Sequence, residues 1–159
     1  MMGKRFFFGT NVFEEGVELG GVMFPGKNNT NREKEVVIVM AGFSRVATKE
    51  DMLLEICAGL NLSSFLFDWH GLGMSSGDFS GVTVKKLVND LKRVTCMLYA
   101  EGFEKFHLVG HSLASCVIAL FSSECSNYIS IGKKVLIAPA LNQRLLLRYW
   151  FSKNTACQS

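Results

Sequence analysis

Residues 106–114 read Phe106-His107-Leu108-Val109-Gly110-His111-Ser112-Leu113-Ala114. Phe106–Gly110 is a short apolar run of the kind that forms a buried strand, and Leu113–Phe121 reads as a helix. Between them Gly110–Ala114 fits the pattern G-x-S-x-G, with alanine in the last place. A serine at such a strand-to-helix turn takes a strained backbone conformation. Its neighbours two places away must therefore be small, so that strand and helix backbones pass closely. The turn lifts the Ser112 hydroxyl above the sheet. It also aims the first amides of the following helix at the same spot, where negative charge is favoured. The five-residue pattern alone is weak, and the strand–turn–helix setting is what gives it weight. The competing reading is a tight turn whose serine only caps the helix.

Working outward, the apolar pattern alternates between two types. Val36–Met40 is a run without alternation, as expected of a strand buried on both faces. Ser63–Phe67 is a second short strand of that kind, and Lys134–Ala138, before Pro139, reads as another buried strand. Thr48-Lys49-Glu50-Asp51 resembles a capping box with Asp in place of Glu or Gln, and Met52, Ile56 and Leu60 follow at helical spacing. From Thr83, the residues Val84, Leu87, Val88, Leu91, Val94 and Leu98 trace one helix face that stops at Gly102. Residues 1–25 alternate loosely and suggest an antiparallel β-ribbon ending at Pro25. Strands alternating with helices predict an α/β chain with a mostly parallel sheet and helices on both faces. The expected organisation is a single incomplete domain: a ribbon over 1–25, a βαβ core over 36–140, and the start of a cap or following helix over 141–159. In such sheets chemistry sits beyond the carboxyl ends of the strands, here the loops 41–45, 68–78, 110–113 and 139 onward.

Three of those places extend the pattern. Val36–Met40 runs into Ala41-Gly42-Phe43. Phe67-Asp68-Trp69-His70-Gly71-Leu72-Gly73-Met74-Ser75-Ser76-Gly77 forms a glycine-rich loop after a strand. Val135-Leu136-Ile137-Ala138-Pro139-Ala140 closes the series. Together with the serine turn, they resemble the α/β-hydrolase family, in particular its esterase, serine-aminopeptidase-like and acyl-thioesterase members. The family usually has His-Gly-Phe after its third strand and Asp-x-Arg-Gly-x-Gly-x-Ser-x-Gly after its fourth. The order and spacing match from the first strand to the sixth. The resemblance implies a serine hydrolase acting on an acyl ester or thioester, with Ser112 as nucleophile. The backbone N–H groups of Phe43 and Leu113 would form the oxyanion hole. Ala41 in place of His and His70 in place of Arg are departures that bear on loop geometry more than on chemistry. Asp68 corresponds to a structural residue of the turn rather than to a catalytic acid.

A third departure is more serious. In this fold the triad runs Ser, then Asp or Glu, then His along the chain. After Ser112 the chain has no Asp and no His, and Glu124 is its only acid. Of the three histidines, His107 is expected to pack in or beside the sheet and His111 to be turned away from its neighbour. His70 lies in a loop on the side of the site. An unassisted serine hydroxyl is a poor nucleophile. The chain is therefore expected to be inactive or very weak by itself, and the alternative is a non-catalytic α/β-hydrolase-like binding or partner module.

Other classes are disfavoured. The net charge is only +3 and the basic residues are scattered, so nucleic acid is not an expected partner. The longest apolar stretches, Val36–Phe43 and Val135–Leu141, are far shorter than a membrane span, and Met1–Gly9 holds no secretory apolar segment. Five cysteines without a C-x-x-C pair read as reduced structural thiols of a cytoplasmic protein rather than a metal site. Gly71-x-Gly73-x-x-x-Gly77 is not a nucleotide-binding fingerprint, so neither cofactor nor metal is expected. If the sheet ends at Lys134–Ala138, that strand is an apolar edge. A homodimer through it, or a complex with a complementary C-terminal fragment, is then expected.

Overall fold

The computed structural model describes residues 16–27 and 33–142 in full, and residues 4–9 by their backbone. Six strands form one sheet in the order β1-β2-β4-β3-β5-β6. These are β1 (Lys4–Gly9), β2 (Glu18–Phe24), β3 (Glu35–Met40), β4 (Ser63–Phe67), β5 (Lys105–His111) and β6 (Ser130–Ile137). β1 and β2 form the antiparallel ribbon at one edge, and β2 runs antiparallel to β4. β4, β3, β5 and β6 are parallel. From β3 onward, each strand leads to the next through a helix: α1 (Asp51–Gly59), α2 (Val84–Ala100) and α3 (Leu113–Cys125). The mostly parallel α/β architecture expected from the sequence is the one observed.

The two-residue side-chain period of a strand explains where the helices go. Along β3, Val36, Ile38 and Met40 point to one face, and Val37 and Val39 to the other, all of them buried. The first face packs with Phe65, Phe67 and Leu108 against the Leu87, Leu91, Val94 and Leu98 stripe of α2 and against Val117, Ile118 and Phe121 of α3. The second face packs with Leu66 and Val109 against Leu53 and Cys57 of α1. The apolar stripe read from Val84 to Leu98 is thus the buried face of α2. It ends where Gly102 takes φ +98, a conformation open to glycine.

Three expectations need correction. The Thr48–Asp51 stretch is not a capping box: Glu50 is the N-cap of α1 and makes no side-chain cap hydrogen bond. Thr48 sits instead in a single 3-10 turn, Ala47–Lys49, where Asp68 competes successfully for its hydroxyl. The buried face of α1 is Leu53 and Cys57, whereas Met52 is exposed and Ile56 and Leu60 are only partly covered. That face lies one position further along the chain than the stripe expected, about 100° round the helix. Finally, the strand expected over Lys134–Ala138 forms as Ser130–Ile137, but it is largely exposed rather than buried on both faces. It is the last strand of the described sheet, with only β5 beside it. α3 also runs on to Cys125, one turn beyond Phe121. The helix or cap expected over 141–159 lies outside the described residues from 143 onward.

Cys57 gives the fold a measurable pH response. Burial pushes its thiol up to about 11. A raised folded value means that the stabilisation is full below the unfolded value near 9 and is lost as pH rises toward 11. The shift corresponds to about 2–3 kcal/mol. Urea unfolding at about pH 8 and about pH 10.5 should therefore show a larger alkaline loss in the wild type than in Cys57→Ala, and equal losses would contradict it.

Candidate functional site

Ser112 stands at the turn between β5 and α3. It occupies the N-cap position with φ 53 and ψ −112, and its side chain makes no cap hydrogen bond. The helix-capping alternative is thereby removed: the hydroxyl is not engaged with the helix that follows it. A non-glycine residue at this φ is strained by about 1–3 kcal/mol, and the surroundings must hold it. They do so through the backbone. The Ser112 N–H donates to the Ile137 carbonyl at 2.9 Å, and the Ser112 carbonyl accepts from Ala140 N–H at 3.2 Å and from Ser115 N–H at 3.1 Å. β6 and its exit thus brace the elbow from the outside. Two more strained residues flank it, Ser44 at φ 53 and Ala138 at φ 45.

The small residues of the pattern have visible reasons. A Cβ built on Gly110 would meet Ile118 Cδ1 at 2.6 Å and the Ala114 carbonyl carbon at 3.0 Å. Helix and strand approach too closely there for any side chain. Ala114 Cβ would lie 3.1 Å from the same point, a further bar to a side chain at 110. A Cβ on Gly42 would stand 3.0 Å from Ser112 Cβ. The loop after β3 therefore passes close against the serine side chain. Among the described residues, no group accepts a hydrogen bond from the Phe43 or the Leu113 amide. The Phe43 ring is 58% exposed and touches Phe79, with centroids 5.5 Å apart.

Asp68 is structural, as the sequence suggested. It is fully buried at the end of β4. Its carboxylate accepts from Thr48 N–H at 3.1 Å, from the Thr48 hydroxyl at 2.6 Å and from Met74 N–H at 3.0 Å. It thereby fastens the glycine-rich loop to the loop after β3. Ser75 and Ser76 tie the other side of that loop to β2. Ser75 Oγ accepts from Gly20 N–H at 2.9 Å, and Ser76 Oγ accepts from Glu18 N–H at 2.7 Å.

The histidines divide by environment. His107 is held within the sheet: its Nδ1 accepts from Lys133 N–H at 2.8 Å and its Nε2 lies 2.8 Å from Glu35 Oε2. His111 Nδ1 would lie 3.5 Å from a Cβ on Gly42, so its ring packs under the loop after β3. His70 is buried, with Nδ1 2.6 Å from Asp90 Oδ2 and its ring against Phe79. Asp90 also lies 3.6 Å from Arg93 NH1. Sequence reading missed this pair: Asp90 and Arg93 lie outside the apolar stripe of α2 and read as solvated residues, yet both are buried. Among the described residues, no histidine nitrogen and no carboxylate lies within hydrogen-bond distance of the Ser112 hydroxyl.

No model of a protein family matches this chain. A monoglyceride lipase of Saccharomyces cerevisiae is 27% identical to it, over 79% of this chain and 44% of that protein. Among solved structures, Est1E of Butyrivibrio proteoclasticus with bound ferulic acid superposes with a TM-score of 0.70 at 23% identity, over 85% of this chain and 54% of Est1E. Mouse alpha/beta hydrolase domain-containing protein 10 gives 0.69 at 21% identity, over 92% and 54%. A monoacylglycerol lipase of Paleococcus ferrophilus gives 0.62 at 24% identity, over 77% and 44%. The chain spans about half the length of each of these proteins. Among the described residues no helix is long and apolar enough to cross a membrane. With its strand order, its parallel core and its serine turn between β5 and α3, the chain has the α/β-hydrolase fold.

Proposed function

We propose that this chain carries the nucleophile and the oxyanion-binding amides of a serine hydrolase acting on acyl esters or thioesters. In this reading Ser112 Oγ attacks the acyl carbonyl, and the N–H groups of Leu113 and Phe43 receive the developing oxyanion. The observation that carries the reading is the conformation of Ser112: strained, without a cap bond, and pressed against Gly42 at the head of a helix. The exposed Phe43 ring and its neighbour Phe79 offer an apolar wall beside the amides, suited to an acyl chain. The name of the yeast monoglyceride lipase agrees with an ester as substrate.

The second reading, a non-catalytic binding module, is favoured by one observation: no base reaches Ser112 among the described residues. A single experiment separates the two. The purified chain is incubated with an activated ester, and acyl transfer to Ser112 is followed by mass spectrometry. Gly42→Ala, which sets a methyl group against Ser112 Cβ, should slow acylation by about 100-fold or more through displacement of the Phe43 amide. Gly59→Ala, where the added methyl meets nothing, should leave it unchanged. If Ser112 is never acylated and Gly42→Ala changes nothing, the hydrolase reading is lost and the binding module stands.

A further inference from the structure

Two consecutive residues beyond β4 hold the loop that follows β3. Asp68 holds its far end at Thr48, through the backbone N–H at 3.1 Å and the hydroxyl at 2.6 Å. Trp69 holds its near end: the indole Nε1–H donates to the Ala41 carbonyl at 3.0 Å. Trp69 is 1% exposed and Ala41 is fully buried, so no water competes for that bond. The indole stands edge-on to Phe67, with centroids 4.8 Å apart, which fixes the ring that carries the donor. Between the two holding points lie Gly42 and Phe43, the latter in a tight turn. Arg45 N–H donates to the Gly42 carbonyl at 3.4 Å, and Ser44, the third residue of that turn, takes φ 53. Glycine or asparagine suits such a position, and serine is strained there.

The direction of one N–H depends on this arrangement. The peptide between Gly42 and Phe43 is trans, so the Phe43 N–H points opposite to the Gly42 carbonyl that Arg45 engages. A strained residue persists only where its surroundings hold it. Here the surroundings are the two fixed points, one on each side of Ser44. Releasing the near one lets the turn relax toward negative φ at Ser44, and Phe43 moves with it. Gly42 has no side chain to resist that rotation. We propose that Trp69 is a positioning residue for the oxyanion-binding amide: by holding the Ala41 carbonyl, it keeps the Phe43 N–H in one orientation against the strain at Ser44. The inference rests on the role proposed above for that amide. Trp69 acts through the backbone of residues 41–43 and takes no part in bond making or proton transfer.

Trp69→Phe deletes the donor and keeps an aromatic ring in its place. Acylation of Ser112 in the full chain by a nitrophenyl ester is followed by mass spectrometry over a range of ester concentrations. Removing an oxyanion donor outright costs about 100-fold to 1,000-fold, so displacing one should lower the maximal acylation rate by about tenfold or more. The half-saturating ester concentration should stay within about twofold, because the lost interaction is made in the transition state. The Phe43 amide signal in a nitrogen–proton NMR spectrum should shift, while that of Thr48, held by Asp68, should not. Cys57→Ala, at the end of α1 that leads into β4, also loosens the core and should leave the maximal rate unchanged. If Trp69→Phe does not fold, benzothienylalanine in place of tryptophan, in a Trp150→Phe chain, deletes the N–H without changing shape and carries the same expectation. Acylation of Ser112 that proceeds equally fast without the donor overturns the proposal and leaves the hydrolase reading standing. An equal fall in Cys57→Ala, or a Phe43 signal that does not move, also overturns it. A chain whose Ser112 is never acylated removes the hydrolase reading, and the positioning role with it.

Discussion

The purified chain is expected to turn over an activated ester about a million-fold more slowly than an ordinary serine hydrolase, while still exceeding buffer by about a thousand-fold. Both numbers follow from the roles proposed for Ser112, Phe43 and Leu113. In a serine hydrolase the histidine takes the hydroxyl proton as the serine oxygen attacks, and removing it costs about as much as removing the whole triad. Here His70 is turned to Asp90, His107 to Glu35 and Lys133, and His111 packs beneath Gly42. Under the proposed function, the parts that would remain are the Phe43 and Leu113 amides and the helix N-terminus, and these would account for the residual rate. Steady-state kinetics with a nitrophenyl ester, run beside Ser112→Ala, provides the check. Ordinary rates that vanish in Ser112→Ala would mean that a base reaches the serine. The residual enhancement of about a thousand-fold, which needs only the amides, should persist in Ser112→Ala.

Asp68→Ala should destabilise the fold by about 3–5 kcal/mol. The carboxylate is fully buried and accepts three hydrogen bonds from Thr48 and Met74, two of them from backbone amides. Truncation leaves those donors without an acceptor in a space closed to water, and each unsatisfied donor costs about 1–3 kcal/mol. Gly73 adds to the case, because a Cβ there would lie 2.2 Å from Asp68 Oδ2: the loop is moulded around this side chain. Asp68→Asn keeps one acceptor oxygen and should lose roughly half as much. Urea unfolding monitored by circular dichroism measures both. A loss below about 1 kcal/mol for Asp68→Ala would show that the loop is held by Ser75 and Ser76 alone.

Much of this molecule was legible in the sequence because its signals are local. Uninterrupted apolar runs mark β3 and β4, and the Leu87–Leu98 stripe marks α2. The Gly110–Ala114 spacing marks a turn whose small residues are forced by contacts between adjacent elements. What escaped depends on residues far apart in the chain. Thr48 fits a cap motif within its own segment, yet it is captured by Asp68, which lies beyond α1 at the end of the next strand. His70 and Asp90, 20 residues apart, meet across a loop and a helix, and nothing local to either residue marks the pair. The exposure of β6 could not be read from the strand alone. An apolar strand carries the pattern of a buried one whether or not a neighbour covers it, and only its place at the end of the strand series marked it as an edge.

The most direct test of the elbow is the substitution of Ser112 by glycine compared with alanine. Glycine relaxes a φ of 53 that alanine must still endure. After allowing for the greater freedom of unfolded glycine, Ser112→Gly should be more stable than Ser112→Ala by about 1–2 kcal/mol. Both variants should lose all acylation at this position. That combination, a gain in stability where the hydroxyl is removed and the strain released, is the expected result from urea unfolding and mass spectrometry run together. Ser112→Gly unfolding no later than Ser112→Ala would contradict it, as would acylation of the unsubstituted chain that maps to a residue other than Ser112.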